Sequence, residues 1–436
     1  MITPFRLALL SCIALAACDE NTKIIDPFPI QIDQSSGAVL LAAGDDAESA
    51  LAIVVDVLSP ITILDSYRDG QELATPQRRL SDLNLFAFTD GQVGARRVRF
   101  SNTTSYDLHP CDVAGTSPQA CKVGQDSDTK NVFGVLGADL LSRTSVRFNF
   151  SQGTMRFFPD AAGSETERTL ACDAVFRDPY GGGGTLQIGG SEVRYSSLRP
   201  TLGVCIHHQS LPELLTDSRE IGTDLHMAIS TAIGITLLTE DAYLRFSRDS
   251  DSVPALADLP TTVVHTPSGQ IDARLGQIDY LALAGNVGAD SNGRGPCREV
   301  YANARMRVPR SCADSQVDCP CPNSEQSCKA GAIIEVAKPI AVAIVPANID
   351  ILQGLRDELR PRVPEIDGIV GVNALSDIQV EFDFPNSRML LRCEQLDNCI
   401  TRPQVRSQNF LTALDECRAL EQMERQSTGP DEPPIP

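Results

Sequence analysis

The chain has 436 residues, enough for two or more domains with sizeable cores. Its formal net charge of -20 at pH 7 argues against nucleic acid or an anionic membrane face as partner, and solubility accounts for the acidity. Past the N-terminal stretch no segment approaches the roughly 20 consecutive apolar residues that a membrane-crossing helix needs.

The N-terminus carries one basic residue, Arg6, and then the short apolar run Leu7 to Ala17. That order reads as a secretory signal over residues 1–17, too short to span a bilayer. The run ends in Leu15, Ala16, Ala17 and Cys18, which resembles the bacterial lipobox. The resemblance implies acylation of Cys18, a membrane held through that lipid, and a location in a bacterial cell envelope. Several acyl chains on one cysteine give stable anchoring where one is marginal. Asp19 leaves the choice between inner and outer membrane open. Residues 18–36 are polar with Pro27 and Pro29, and suit a tether.

From residue 37 short runs rich in Val, Ile, Leu and Phe alternate with turn residues, the pattern of strands. Leu51 to Val55, Val146 to Phe150 and Thr261 to His265 are examples. Two stretches predict helices: Ala347 to Leu359, with Ile349, Leu352 and Leu355 on one face, and Gln408 to Met423. The four glycines 181–184 lack the Lys-Ser/Thr of a phosphate-binding loop and read as a flexible connection between two halves. The Pro-rich end, 429–436, reads as a disordered tail.

A repeat organises the chain. Gly134 to Phe150 recurs, without a gap, as Gly368 to Phe384. Both glycines of a Gly-x-x-Gly turn match, as do Leu141/Leu375, Ser142/Ser376, Val146/Val380, Phe148/Phe382 and Phe150/Phe384. A weaker pair lies upstream, where Ile61, Thr62 and Leu64 match Ile235, Thr236 and Leu238. Two motifs in the same order in both halves predict a duplicated lobe. The division follows as an N-terminal β lobe at 37–160, a connection at 161–190, and a C-terminal β lobe at 191–400. The second lobe holds a Cys-rich insert at about 247–335, and a helix with the tail occupies 401–436.

With these motifs the sequence resembles the pepsin-type aspartic peptidases over roughly Gly37 to Arg392. The resemblance implies a mainly β, two-lobed fold with few short helices and a disulfide-rich insert in the second lobe. That family places an Asp-Thr/Ser-Gly turn in each lobe, and the two carboxylates share a proton across a cleft. Here Asp56 stands at the first carboxylate position, followed by Val57 and Leu58 instead of Thr and Gly. In the second lobe the turn reads Ser230, Thr231, Ala232, so Ser replaces Asp. A serine hydroxyl does not share a proton as a carboxylate does, and Leu58 adds bulk where glycine is wanted. Aspartic proteolysis is therefore not expected. Asp224, six residues before Ser230, is the other candidate for a second carboxylate.

Fourteen cysteines, less Cys12 in the signal and Cys18 at the anchor, leave an even set of twelve for disulfides in an exported protein. They are Cys111, Cys121, Cys172, Cys205, Cys297, Cys312, Cys319, Cys321, Cys328, Cys393, Cys399 and Cys417. Connectivity is not deducible from sequence, although Cys111 with Cys121 and Cys393 with Cys399 would close short loops. Cys319-Pro-Cys321 is too tight for a zinc knuckle and has no nearby His. His207 and His208 lack a third ligand, so neither metal nor cofactor is expected. Three functions fit: a non-catalytic lipoprotein binding a peptide, protein or envelope component in the interlobe cleft; an endopeptidase using Asp56 with an unrecognised second carboxylate; and a structural envelope protein.

Overall fold

The computed structural model describes residues 27–34, 36–64, 77–89, 92–107, 132–158, 174–188, 191–196, 198–208, 222–248, 252–266, 269–285, 296–297, 333–336, 338–360, 363, 365–394 and 399–402. The signal, Cys18, Cys111, Cys121, Cys172, Cys312, Cys319, Cys321, Cys328, Cys417, the helix predicted at Gln408 to Met423 and the tail lie outside the described residues.

The two halves repeat one topology. In the first, Leu51–Val55 runs parallel to Val132–Leu136, and Ile63–Leu64 lies antiparallel on its other side. In the second, Thr223–Ile229 runs parallel to Gly368–Val370, which again has an antiparallel neighbour, Thr236–Thr239. Each repeat strand is thus inserted between the two strands that flank a turn. The glycines permit this insertion: a Cβ on Gly134 would lie 2.1 Å from the carbonyl oxygen of Ile63, and one on Gly368 2.0 Å from that of Leu237. No side chain fits there.

Between the halves lies one shared six-stranded sheet, in the order Phe28–Pro29, Thr154–Phe158, Ser145–Asn149, Ile378–Asp383, Arg388–Cys393, Ala174–Arg177. The halves meet where Ser145–Asn149 pairs antiparallel with Ile378–Asp383, with Arg147 directly opposite Glu381. The offset that matches Gly134 with Gly368 also matches Arg147 with Glu381, so the pseudo-twofold axis passes between those two residues. Equivalent positions that would otherwise oppose like groups carry opposite charges: Arg147 Nε donates to Glu381 Oε2 at 2.8 Å. Beside them the repeated phenylalanines Phe148 and Phe382 meet edge to face at 5.9 Å, a favoured geometry for aromatic pairs. Duplicated strand-insertion motifs joined through this sheet make a pepsin-like, two-lobed, mainly β fold.

Each lobe adds its own sheet. The first has seven strands, including the long hairpin Gln77–Thr89 and Gln92–Asp107; the second has eleven. Helices are few, and Asp350–Leu359 matches the spacing expected from the sequence, with Leu352, Leu355 and Leu359 buried beneath it. The described residues hold two disulfides, Cys205–Cys297 and the expected short loop Cys393–Cys399.

Two segments differ from expectation. Within 161–190, Ala174–Arg177 is an outer strand of the shared sheet rather than linker. The glycine run is a built turn: Gly182 and Gly183 take φ of +80° and +108°, and the Gly183 amide donates to Glu358 Oε1 at 2.9 Å. Within 247–335, the strands Thr261–Thr266, Gly269–Ile278, Tyr280–Gly285 and Ile333–Val336 belong to the eleven-stranded sheet. Between residues 286 and 332 only 296 and 297 are described, and Cys297 bonds back to Cys205.

Candidate functional site

Asp56 and Ser230 each follow the strand that runs parallel to the lobe's inserted repeat strand, and their backbones are held alike. The Asp56 amide donates to the Leu136 carbonyl at 3.0 Å, and the Ser230 amide to that of Val370 at 3.1 Å. The two turns meet at the lobe junction, where Ser230 Oγ donates to Asp56 Oδ1 at 2.9 Å. Two residues on, the Leu58 amide donates to Asp56 Oδ1 at 3.0 Å and the Ala232 amide to Ser230 Oγ at 3.1 Å. The serine hydroxyl therefore takes up the acceptor role that Asp56 Oδ1 plays in the first turn, but supplies one exchangeable proton and no negative charge.

Thr231 fastens the turns across the junction. Its hydroxyl donates to the Val55 carbonyl at 2.6 Å and accepts from the Val57 amide at 3.3 Å. Val57, at the matching position of the first turn, has no hydroxyl, so the lock is one-sided. Backbone bonds add to it: the Val39 amide to the Thr231 carbonyl and the Gly234 amide to the Ser36 carbonyl, both 2.9 Å. Gly37 and Gly234 pass so closely that a Cβ on Gly37 would lie 2.4 Å from the Gly234 Cα.

Burial dominates the electrostatics of Asp56, which is only 5% exposed. Loss of solvent raises its carboxyl above the ordinary range, partly offset by the Leu58 amide, the Ser230 hydroxyl and the charge of Arg199. Among the described residues no carboxylate acts on it. Asp224 is not that partner: it lies across the sheet from Cys205, and its Oδ1 accepts the Cys297 amide at 2.6 Å. Six residues of strand at about 3.3 Å each carry it roughly 20 Å along from Ser230. At this junction Asp56 thus meets an alcohol, not a second carboxylate with which to share a proton.

Two features of this region were not readable from the sequence. The first is the destination of Leu58, whose side chain is buried in a second-lobe cluster with Ile233, Val345, Leu352 and Leu355. The second is Arg199, which donates to the Leu58 carbonyl and forms a buried ion pair with Glu358, Nη2 to Oε2 at 2.9 Å. Lower in each lobe a further matched pair supports the turns. Thr62 donates its hydroxyl to Asp139 at 2.7 Å, and Thr236 donates to Asn373 at 2.8 Å. In both lobes the threonine oxygen accepts the second glycine amide of the repeat, Gly137 or Gly371.

Elsewhere His207 is buried and stacks on His208 at 4.3 Å between ring centres, while Cys205 is consumed by its disulfide. No group of three or more His, Cys, Asp and Glu side chains is arranged to hold a metal ion among the described residues. Nor is any helix among them long and apolar enough to cross a membrane.

No family model matches the chain, and neither does any curated protein. Among solved structures it is similar to basic 7S globulin from soybean, with a TM-score of 0.38 at 12% identity over 85% of this chain and 96% of that one. Conglutin gamma, a basic 7S globulin from lupine seeds, gives 0.40 at 11% identity over 86% and 96%. The aspartic proteinase from Irpex lacteus gives 0.30 at 11% over 84% and 96%. Scores this low bear on neither activity nor ligand; the fold rests on the internal duplication described above.

Proposed function

We propose that this protein is a lipid-anchored, non-catalytic binding protein of a bacterial envelope, built on a pepsin-like body. The observation that carries the non-catalytic reading is the Asp56–Ser230 hydrogen bond at the lobe junction, where two carboxylates would be needed for aspartic proteolysis. The anchor reading is supported by the charged start at Arg6, the short apolar run and the small residues before Cys18. On this reading the body stands in the periplasm or outside the cell, held by lipid on Cys18, and takes a peptide, a protein segment or an envelope component between its lobes.

Two assays test the parts separately. Labelling with radioactive palmitate should mark the wild-type protein and not a Cys18→Ser variant, which should also leave the membrane fraction; equal labelling would refute the anchor. Incubation of the soluble chain starting after Cys18 with a diverse peptide library at pH 4 and pH 7 should give no cleavage. Cleavage that disappears in an Asp56→Ala variant would instead establish an endopeptidase.

A further inference from the structure

The apolar part of the seam in the shared sheet is the same on both sides. Val146 and Phe148 of the first half lie opposite Phe382 and Val380 of the second, so each apolar cross-strand pair is Val with Phe. All of these side chains are buried. Because the repeat makes Val146 equivalent to Val380 and Phe148 to Phe382, Ser145–Asn149 set against a second copy of itself in this register would form the same Val–Phe pairs. So would Ile378–Asp383 against its own copy. Apolar packing in the seam therefore does not tell one half from the other.

The polar residues between them do. Arg147 lies across from Glu381 on the pseudo-twofold axis, with Nε 2.8 Å and Nη2 2.5 Å from Oε2. The two side chains are 15% and 2% exposed. Two residues along, Ser145 donates its hydroxyl to Asp383 at 2.7 Å. In a twofold pairing of like with like, a residue on the axis meets its own copy.

We infer that Arg147 and Glu381 select which half pairs with which: they admit a first-half strand beside a second-half strand, and refuse either strand its own copy from a second chain. In the refused pairings Arg147 would face a second Arg147, and Arg156, its neighbour on the outer side, adds charge of the same sign. Glu381 would face a second Glu381, and its outer neighbour Leu390 carries no charge to offset this. Like charges directly opposite each other destabilise a sheet, and burial makes an uncompensated charge far costlier than it is in water. The Ser145–Asp383 bond is lost as well, since Asn149 would stand opposite Ser145, and Gln379 opposite Asp383. A buried ion pair is often no more stabilising than apolar side chains of similar volume, so what these charges contribute is repulsion of the wrong partner. The bar applies to this ordered register alone, and it stands whether or not the protein is lipid-anchored or a binder.

Mixed refolding tests it, on the soluble chain starting after Cys18. Glu381→Arg puts arginine on both sides of the axis and Arg147→Glu puts glutamate on both, so neither variant's halves match within one chain. Between the two variants they do match: the first half of each suits the second half of the other. The proteins, one of them isotope-labelled, are unfolded in urea without reductant, then refolded separately and together. Size-exclusion chromatography and native mass spectrometry read the products. The mixture should hold about tenfold more of the one-to-one two-chain species than the separate samples hold of any two-chain species. The exchanged protein, Arg147→Glu with Glu381→Arg, should refold as a monomer in the wild-type yield, which separates selection by charge from a need for each side chain at its own place. Single variants that refold alone as monomers in the wild-type yield would overturn the inference. So would a mixture without the excess, or an exchanged protein that behaves as the single variants do.

Discussion

Asp139 occupies in the first lobe the place that Asn373 occupies in the second, and the difference is testable by exchange. Its carboxylate accepts the Thr62 hydroxyl at 2.7 Å and the Leu140 amide at 2.9 Å. Burial nevertheless pushes its pKa up from 3.8 to about 6, with those bonds and Arg143 opposing the rise. A carboxyl with a raised folded-state pKa binds its proton more tightly when folded. The wild type is therefore favoured below about pH 4, loses stability as pH climbs from there to about 6, and stays lower above. About two pK units at about 1.4 kcal/mol each put the penalty near 3 kcal/mol at pH 7. Asp139→Asn removes the charge and keeps an oxygen for Thr62, but an amide oxygen accepts less strongly than a carboxylate, which returns about 1 kcal/mol. The variant should be more stable by about 1–3 kcal/mol at pH 7 and nearly equal to wild type at pH 4. Urea unfolding of both proteins at pH 4, 5.5 and 7 measures this. A gain that does not change with pH, or a loss at pH 7, would refute the assignment of burial as the cause.

Gly182→Ala should destabilise by at least about 2 kcal/mol, because φ is +80° and the new methyl meets the Glu358 carboxylate. Gly354→Ala, at a helical position with nothing within 4 Å, should instead gain about 0.5–1 kcal/mol, and thermal unfolding separates the two. Replacing Cys205 and Cys297 together by Ala should cost about 2–5 kcal/mol, since the bridge closes a loop with a separation of 92 residues; unchanged urea midpoints would count against it.

What could be read from the sequence was whatever has a local or repeated signature. The Gly-x-x-Gly repeat was legible because both copies answer the same demand, a strand passing against a carbonyl that leaves no room for Cβ. Leu352 and Leu355 announced their helix by spacing. Asp56 and Ser230 were located together through the duplication, although their contact spans 174 residues. The rest depends on partners that no local pattern reveals. Leu58 looked like bulk in a place for glycine, since the pocket receiving it is built from residues far along the chain. The four glycines looked like a flexible spacer because what they wrap, the Glu358 carboxylate, lies 175 residues from Gly183. The insert was drawn too wide because strand pairings such as Gly269–Ile278 with Ile340–Val345 join stretches of sequence that nothing local connects.

The shared sheet bears on how the chain is made. Ser145–Asn149 acquires its inner neighbour only when Ile378–Asp383 arrives, and the Ser145–Asp383 bond spans 238 residues. At a synthesis rate of roughly 5–20 residues per second, the first half waits on the order of ten seconds or more with that strand's edge unpaired. An open edge carrying Val146 and Phe148 invites pairing with another chain. A chain cut short before residue 378 leaves that edge open, and should aggregate rather than persist as a stable lobe.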